Sequence, residues 1–390
     1  MDDDTITYYG SKPTIYRSYA KMAILGYLNI TCCIIGSILN FFVIIVFTRK
    51  NMISPINTIL VHLAIAETIT MITYMPHTWH EFFRANLYPA IKDHRTHEWE
   101  TISLASFYLA FIFRHTTIWL TLVLGVWRYI AVIYPLKERK WCQMETTRVC
   151  IIAGYVFGLM TCIPLWFFLQ IKQAEKTVDK DGVFTSDYGK GVKNESIFEI
   201  HAPIVMNTPF YRLIYLSYGI FVKIIPTAML GVISYKLIIA LSKAKTQHEG
   251  LTSNSHFDNT RQLKNKHQTY RITVMLLMIL GLLVVGELPH GIYCLLTAIL
   301  GPKFYTQRYS YAAEVFNTLV KFCECANFVI YYIMSHRFRN TFKALFRSRN
   351  GDEKKIRCKK RTSSFSRYGD PALVAKALKF TDSSTKTTDE

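Results

Sequence analysis

Along the 390-residue chain the apolar residues gather into seven long blocks, at about 23–47, 56–79, 102–134, 149–170, 211–241, 270–299 and 310–335. Roughly 20 apolar residues in a helix cross the hydrocarbon core of a bilayer, so each block is long enough to span it. The third, fifth and sixth exceed that length and are expected to tilt or protrude. The pattern predicts an all-α membrane protein, a seven-transmembrane helix bundle over residues 23–335. The stretch before it, 1–22, carries Asp2, Asp3 and Asp4 and several tyrosines, with neither a basic n-region nor an apolar h-region. No cleavable signal peptide is expected, and the first block serves as its own insertion signal.

Charge adds an orientation. The formal net charge of +19 would by itself suggest a nucleic-acid binder, a reading the apolar blocks exclude. The basic residues fall into alternate connections: Arg49 and Lys50 after the first block, Lys137, Arg139, Lys140 and Arg148 after the third, Lys236 to Arg271 around the gap after the fifth, and Arg337 onward after the seventh. The positive-inside rule then puts the N-terminus outside and the C-terminus in the cytoplasm of a plasma-membrane protein. Anionic lipid and an acidic cytoplasmic partner are the expected neighbours of the inner face. Nine cysteines occur without a CxxC pair and no His/Cys spacing suits zinc, so neither metal nor cofactor is expected.

Three polar segments have their own signatures. The connection 242–268 reads as the most flexible inner loop. Phe338, Phe342, Leu345 and Phe346 lie at helical spacing among Arg337, Arg339, Lys343 and Arg347, an amphipathic eighth helix over 336–347 resting on the membrane surface. Residues 348–390, rich in Ser, Thr and Lys, are expected to be a disordered cytoplasmic tail, either merely solvated or phosphorylated for regulation. Asn194-Glu195-Ser196 is a glycosylation sequon in an outer loop; a second, at Asn29, falls in or beside the first block and is discounted.

Residue patterns recur in order through the blocks: Gly36-Ser-Ile-Leu-Asn40, Leu63-Ala-Ile-Ala-Glu67, Trp127-Arg128-Tyr129 followed by Tyr134-Pro135-Leu136, Pro226, Pro289, and Asn327-Phe-Val-Ile-Tyr331 leading to Phe338. Together they resemble a rhodopsin-like (class A) G-protein-coupled receptor over about 23–347. Trp127 before Arg128, Glu287-Leu-Pro289 and Asn327-Phe328 depart from the usual pattern in a way that resembles the myosuppressin/FMRFamide-like neuropeptide receptor branch. The resemblance implies a peptide ligand, a heterotrimeric G protein as partner, and receptor kinases and arrestin acting on the tail; nucleic acid and enzymatic activity are not implied. It also implies that Arg128 meets the G protein, with Tyr331, Pro289, Pro226, Ile118 and Leu283 transmitting the switch. Trp127 and Thr269 stand where acids usually restrain that arginine. The resting state is then held by apolar packing with Tyr331 and Asn327, or basal activity is raised. Ser103 replaces the usual cysteine at the outer end of the third block and 170–210 has no cysteine, so the common outer disulfide cannot form. The usual tryptophan near Gly154 is missing.

Depth arithmetic gives a separate observation. At 1.5 Å per residue, Arg114, Lys223, Glu287 and Lys321 stand roughly 20–22 Å above the inner ends of four different helices. Glu67, Thr117 and Glu324 form a second layer near ~16 Å, with Asn327 just below. A charge at mid-bilayer costs at least ~2.5–3.5 kcal/mol unless it is paired or wetted, so these side chains must face inward. They form either a mutually satisfied structural network or the floor of a ligand pocket. The lower layer resembles the family's sodium and water site, with protonation of one of two close acids an equal alternative. Glu314, Asn317, His290, Tyr293 and Phe111, with Pro76, His77 and His80, approach the cavity from above. Glu287 is expected to be neutralised within its layer, leaving Glu314 for a ligand arginine.

Alternatives remain: a chemosensory receptor for a small molecule, a transporter, and an opsin. Lys321 lies six residues before Asn327, the spacing at which opsins attach retinal, but Ser106, Glu287 and a cationic Arg114 suit that chemistry poorly.

Overall fold

The computed structural model describes residues 12–79, 96–178, 193–201, 209–251, 259–301, 304 and 310–346. Seven long helices follow in chain order: α1 (Lys12–Phe47), α2 (Pro55–Thr78), α3 (His97–Ile133), α4 (Met144–Phe168), α5 (three parts from Pro209 to Leu251), α6 (Asn259–Leu300) and α7 (Ser310–Met334). Among the described residues six contain a segment long and apolar enough to cross a membrane. The remaining one, α7, has 25 residues and carries Glu314, Lys321 and Glu324. Those polar side chains, with Asn317 and Asn327, recur at intervals of three and four and so form one stripe along the helix. A helix of this kind crosses a bilayer only with its stripe turned into the bundle. Against lipid stand residues such as Phe41, Ile152, Met160, Phe221 and Phe322, all exposed.

Local chemistry explains most boundaries. Ser54 and Thr96 cap α2 and α3, accepting from the backbone N–H groups of Asn57 at 3.2 Å and Trp99 at 3.5 Å. Pro55 then occupies the first turn of α2, where its missing N–H has no intrahelical use. A short helix, Pro135–Trp141, follows α3. Beyond the bundle, 336–346 is helical and stacks Phe338 on Phe342 with ring centroids 6.4 Å apart.

Several expectations need correction. Helix is already present at Lys12, where the described residues begin, and its apolar span is Ile24–Phe47, in line with the block expected from about 23. The 242–268 connection is mostly helix: α5 runs to Leu251 and α6 begins at Asn259, leaving 252–258 outside the described residues. Good helix formers flank the gap, Lys243, Ala244, Lys245, Gln247 and Glu249 on one side and Arg261, Gln262, Leu263, Lys264 and Lys266 on the other, and they favour helix even without an apolar stripe. The outer 170–210 segment contains an antiparallel hairpin, β1 (Gln170–Val178) with β2 (Lys193–His201). The 348–390 tail, with Ser363 and its neighbours, and His80 also lie outside the described residues.

The slot beside Gly154 is filled from the other side. Trp119 of α3 presses on Gly154, where an added Cβ would lie 2.5 Å from Cδ1 of the indole. Its Nε1 donates to the Cys150 carbonyl at 3.0 Å, so the helix-four tryptophan is replaced by one from helix three. Ser103, buried, shares a 2.8 Å hydrogen bond with His77 Nδ1 of α2. The Tyr108 hydroxyl donates to the Leu165 carbonyl at 3.3 Å, and the rings of His97 and Phe198 meet edge-on at 5.2 Å, tying α3 to the end of α4 and to β2. Polar and aromatic contacts thus brace the outer end without a disulfide.

Gly154→Ala should destabilise the detergent-purified protein by about 1–3 kcal/mol through overpacking. Trp119→Ala should cost about 3–5 kcal/mol. Thermal unfolding of the double variant should show less than the sum of the two losses, since each change relieves the other's conflict.

Candidate functional site

Halfway along the helices the ionisable side chains of four helices meet. Arg114 of α3 reaches in two directions: Nη2 donates to Glu287 Oε1 of α6, and Nη1 donates to Glu324 Oε1 of α7 at 2.6 Å. Lys223 of α5 closes the other side of Glu287, its Nζ donating to Oε2 at 2.6 Å. Glu287 is fully enclosed and Lys223 nearly so. Two cations and two carboxylates are therefore joined in one chain across α5, α6, α3 and α7. Removing one partner of such a buried set would leave an uncompensated charge.

The separation into two layers is corrected here. An arginine side chain is long enough for Arg114, whose Cα lies at the upper level, to bind the lower carboxylate Glu324 as well as Glu287. Lys321 does not join this chain. Its ammonium stands 3.5 Å from the ring centroid of Tyr74, a cation–π contact with α2. Above it the Tyr74 hydroxyl donates to Glu314 Oε2 at 2.8 Å, and Asn317 Nδ2 lies 3.5 Å from the same hydroxyl. Glu314, Asn317 and Lys321 are thus gathered with Tyr74 on the α2–α7 side.

Beneath the chain, Asn327 Nδ2 donates to Glu67 Oε1 at 2.9 Å. A small cavity is lined there by Glu67, Thr121, Leu283, Gly286, Cys323, Glu324 and Asn327. Thr117, expected in this layer, is buried and donates to its own helix at the Phe113 carbonyl, 3.0 Å away; Thr121, one turn lower, lines the cavity instead. Among the described residues no group of three or more His, Cys, Asp or Glu is arranged to hold a metal.

On the α3–α5–α6 side, Phe111 stacks on Tyr218 at 5.6 Å and packs against His115 at 4.1 Å. His290 stacks on Phe316 at 6.0 Å, and Tyr293 meets the same ring edge-on at 5.1 Å. Sequence reasoning missed the element that positions Lys223. Residues Tyr218–Ile224 form a π-helical turn just before Pro226. Such a turn inserts an extra residue into the helical register and re-aims the side chains beyond it. The backbone signal was present only as the proline, whose missing N–H lets the preceding carbonyls re-pair.

The profile of the family described as serpentine type 7TM GPCR chemoreceptor Srw matches residues 27–349. The chain belongs to this family. It is a multi-pass G-protein-coupled receptor and not an enzyme. Among curated proteins the receptor is 25% identical to the G-protein coupled receptor dmsr-1 of Caenorhabditis elegans, over 85% of this chain and 69% of that one. It is 25% identical to the sex peptide receptor of Drosophila melanogaster over 90% of this chain and 78% of that one. With the Drosophila FMRFamide receptor it shares 22% identity over 93% of this chain and 60% of that one. The fold of squid rhodopsin superposes with a TM-score of 0.61 at 16% identity, covering 84% of this chain and 86% of that one.

At the inner end of the receptor Arg128 is buried and its Nη2 donates to Thr273 Oγ1 of α6. Its neighbour Trp127 points to α4, Nε1 donating to Thr147 at 3.2 Å. Between α3 and α6 the Arg128 guanidinium thus meets an uncharged hydroxyl one turn from Thr269, a charge-assisted hydrogen bond where relatives would place an acid. Tyr331 is buried and meets Phe47 edge-on at 5.4 Å. Ile118 is buried, and Leu283 packs with Leu230, Leu237 and Leu280 between α5 and α6. Pro289 lies inside α6, two residues beyond Glu287. Asn194 is exposed on β2, whereas Asn29 is fully enclosed.

Glu287→Gln should lower stability of the purified receptor by about 3–5 kcal/mol, because Lys223 loses its carboxylate and Arg114 keeps only Glu324. Lys223→Met should cost less alone. A double-mutant cycle of the two should give a coupling of about 1–3 kcal/mol in thermal unfolding, and a coupling near zero would refute the pairing.

Proposed function

We propose that the receptor responds to an amidated neuropeptide of the FMRFamide-like class and answers by promoting nucleotide exchange on a heterotrimeric G protein. The reading rests chiefly on one contrast. Both oxygens of Glu287 are engaged by protein cations, whereas Glu314, nearer the outer end, is met among the described residues by the Tyr74 hydroxyl and no cation at salt-bridge distance. A ligand arginine would supply that cation, and an arginine–carboxylate pair is among the stronger polar contacts. Asn317 shares the Tyr74 hydroxyl beside it, and Phe111, His290 and Tyr293 offer aromatic surface on the α3–α5–α6 side. Relatives whose names state peptide ligands, the sex peptide and FMRFamide receptors, support the class of ligand.

Arg128 is the residue that engages the G protein in this reading. Pro226, Ile118 and Pro289 carry the pocket's state to it, and Tyr331 with Asn327 sets the resting arrangement of α7. Glu67, Glu324 and Asn327, with Thr121 in place of Thr117, form an ion or water site beneath the pocket. The receptor sits in the plasma membrane with its N-terminus outside and glycosylated at Asn194, and its Ser/Thr-rich tail is the substrate of receptor kinases and the docking segment for arrestin. Anionic lipid meets the basic inner face and the 336–347 helix. The family description also names chemoreceptors, and a small-molecule ligand is the second reading. Screening amidated peptides and volatile or water-soluble odorants on cells bearing several G-protein sensors separates the two.

In that assay Glu314→Gln should reduce the potency of Arg-Phe-amide peptides by about tenfold or more with surface level unchanged, the cost of one charge-assisted hydrogen bond. Unchanged potency for Glu314→Gln, with potency lost in a normally expressed Glu287→Gln, would reverse the assigned roles. Thr273→Val should raise ligand-free nucleotide exchange several-fold, roughly the weight of one buried hydrogen bond, while Arg128→Ala should abolish agonist-driven exchange.

A further inference from the structure

Tyr74 of α2 is engaged by opposite charges of α7 at its two ends. Its hydroxyl donates to Glu314 Oε2 at 2.8 Å, and Asn317 Nδ2 approaches the same hydroxyl at 3.5 Å. Its face carries the Lys321 ammonium, 3.5 Å from the ring centroid. Lys321 is 4% exposed, and among the described residues no carboxylate stands within salt-bridge distance of it. Yet Glu314 lies seven residues before it, two turns or about 10.5 Å along the same stripe of α7. Side chains of a helix tilt toward its N-terminus, so Lys321 leans toward Glu314. The two long side chains together can bridge that distance, and the phenol ring is what both of them meet between those levels. Tyr74 is itself held in place. It is buried, its ring meets His77 edge-on at 5.5 Å, and His77 Nδ1 shares a 2.8 Å hydrogen bond with Ser103 of α3.

We infer that Tyr74 is a spacer that keeps Lys321 off Glu314 and so reserves that carboxylate for a cation of the ligand. The inference rests on the amidated-peptide reading, in which Glu314 receives a ligand arginine, and names the residue that keeps the site open to it. In a half-buried site of low dielectric an ammonium is drawn to a carboxylate more strongly than to a ring. Without the ring Lys321 would close on Glu314, and an incoming guanidinium would have to displace it. With the ring in place each charge has a neutral partner: the π face for the ammonium, the hydroxyl for the carboxylate. Glu314 keeps its full charge for a third group. The ring does this rather than the hydroxyl, so phenylalanine would still separate the pair and leucine would not. Tyr74 acts through Glu314 and is a positioning residue for a cationic ligand.

The test uses the full-length receptor in cells with a G-protein dissociation sensor, and as probes FMRFamide and its analogue with citrulline in place of arginine. Citrulline keeps the shape of arginine without the charge. The ratio of the two potencies on one variant therefore reads the Glu314 contact and is independent of surface level. The wild type should favour the arginine peptide by about tenfold or more, and Glu314→Gln should remove the preference. Tyr74→Phe should keep it. Tyr74→Leu should bring the ratio close to one, and Tyr74→Leu combined with Lys321→Gln should restore it, since no ammonium is left to occupy Glu314. A tyrosine needed only for packing would not be rescued by that second change. Surface labelling of an N-terminal tag reports which variants reach the membrane, and Tyr74→Met carries the same comparison if Tyr74→Leu does not. A ratio that persists without the ring, or one that stays collapsed in the double variant, overturns the spacer and leaves the parent reading standing. A collapse already in Tyr74→Phe overturns it too, by placing the effect in the hydroxyl. A wild type that answers both peptides equally, or no amidated peptide in a panel, overturns the parent reading and this one with it.

Discussion

An ionised group in hydrocarbon is tolerated only beside its opposite, and the arrangement of this receptor follows from how Arg114 meets that condition. One guanidinium satisfies carboxylates on α6 and α7 at once, and Lys223 on α5 completes the set. The constraint is strongest for α7, which is less apolar than the other spans and bears three ionisable side chains. Its position in the membrane depends on partners held by its neighbours. The polar chain is thus a condition of assembly as well as a feature of the pocket, and it fixes which faces of four helices turn inward.

That condition makes the middle of the bundle a coupling element. Glu287 is two residues from Pro289, where α6 lacks a backbone hydrogen bond and bends most easily. Lys223 reaches Glu287 from a π-helical turn, a register rare outside functional sites. A shift of either element must move both charges together or separate them in low dielectric. Two discrete arrangements are favoured over a continuum, as a switch between packed states requires. Below, Arg128 meets Thr273 of α6 through a hydrogen bond from its charged guanidinium to an uncharged hydroxyl, a contact without the full attraction of an ion pair.

Much of this was legible in the residues, and the reasons for the rest are physical. The seven spans, the inward stripe of α7 and the common depth of Arg114, Lys223, Glu287 and Lys321 follow from apolar length and a fixed helical rise, both local properties. Depth arithmetic places Cα atoms only. It could not foresee that Arg114 would extend to Glu324, or that Lys321 would rest on Tyr74, because those depend on side-chain reach and on helix rotation. The hairpin 170–201 was missed because its strands alternate weakly, with Ile171, Ile197 and Ile200 set among charged residues. Trp119 in the slot beside Gly154 is a tertiary substitution: the missing tryptophan of one helix is visible in sequence, but its replacement from another is not. The helical extension of α5 and α6 carries no apolar period, so only residue propensity marked it.

A ligand shifts an equilibrium only by the difference in its affinity for the two states. Contacts with groups that are already satisfied contribute little to that difference, because binding must first displace a protein partner. On the α3–α5–α6 side Glu287 is saturated by cations, and a ligand there gains mainly aromatic contact with Phe111, Tyr293 and their neighbours. On the α2–α7 side Glu314 accepts from the Tyr74 hydroxyl and Lys321 meets the face of the same ring, so a ligand cation reaching Glu314 would add a pairing without displacing one. Helix α7 carries Glu314, Asn317 and Lys321 toward that side and Glu324 toward Arg114, all along one stripe. Pulling or turning α7 through its outer residues therefore acts directly on the bond that holds α3 to α7, and through Arg114 on Glu287 beside the bend of α6.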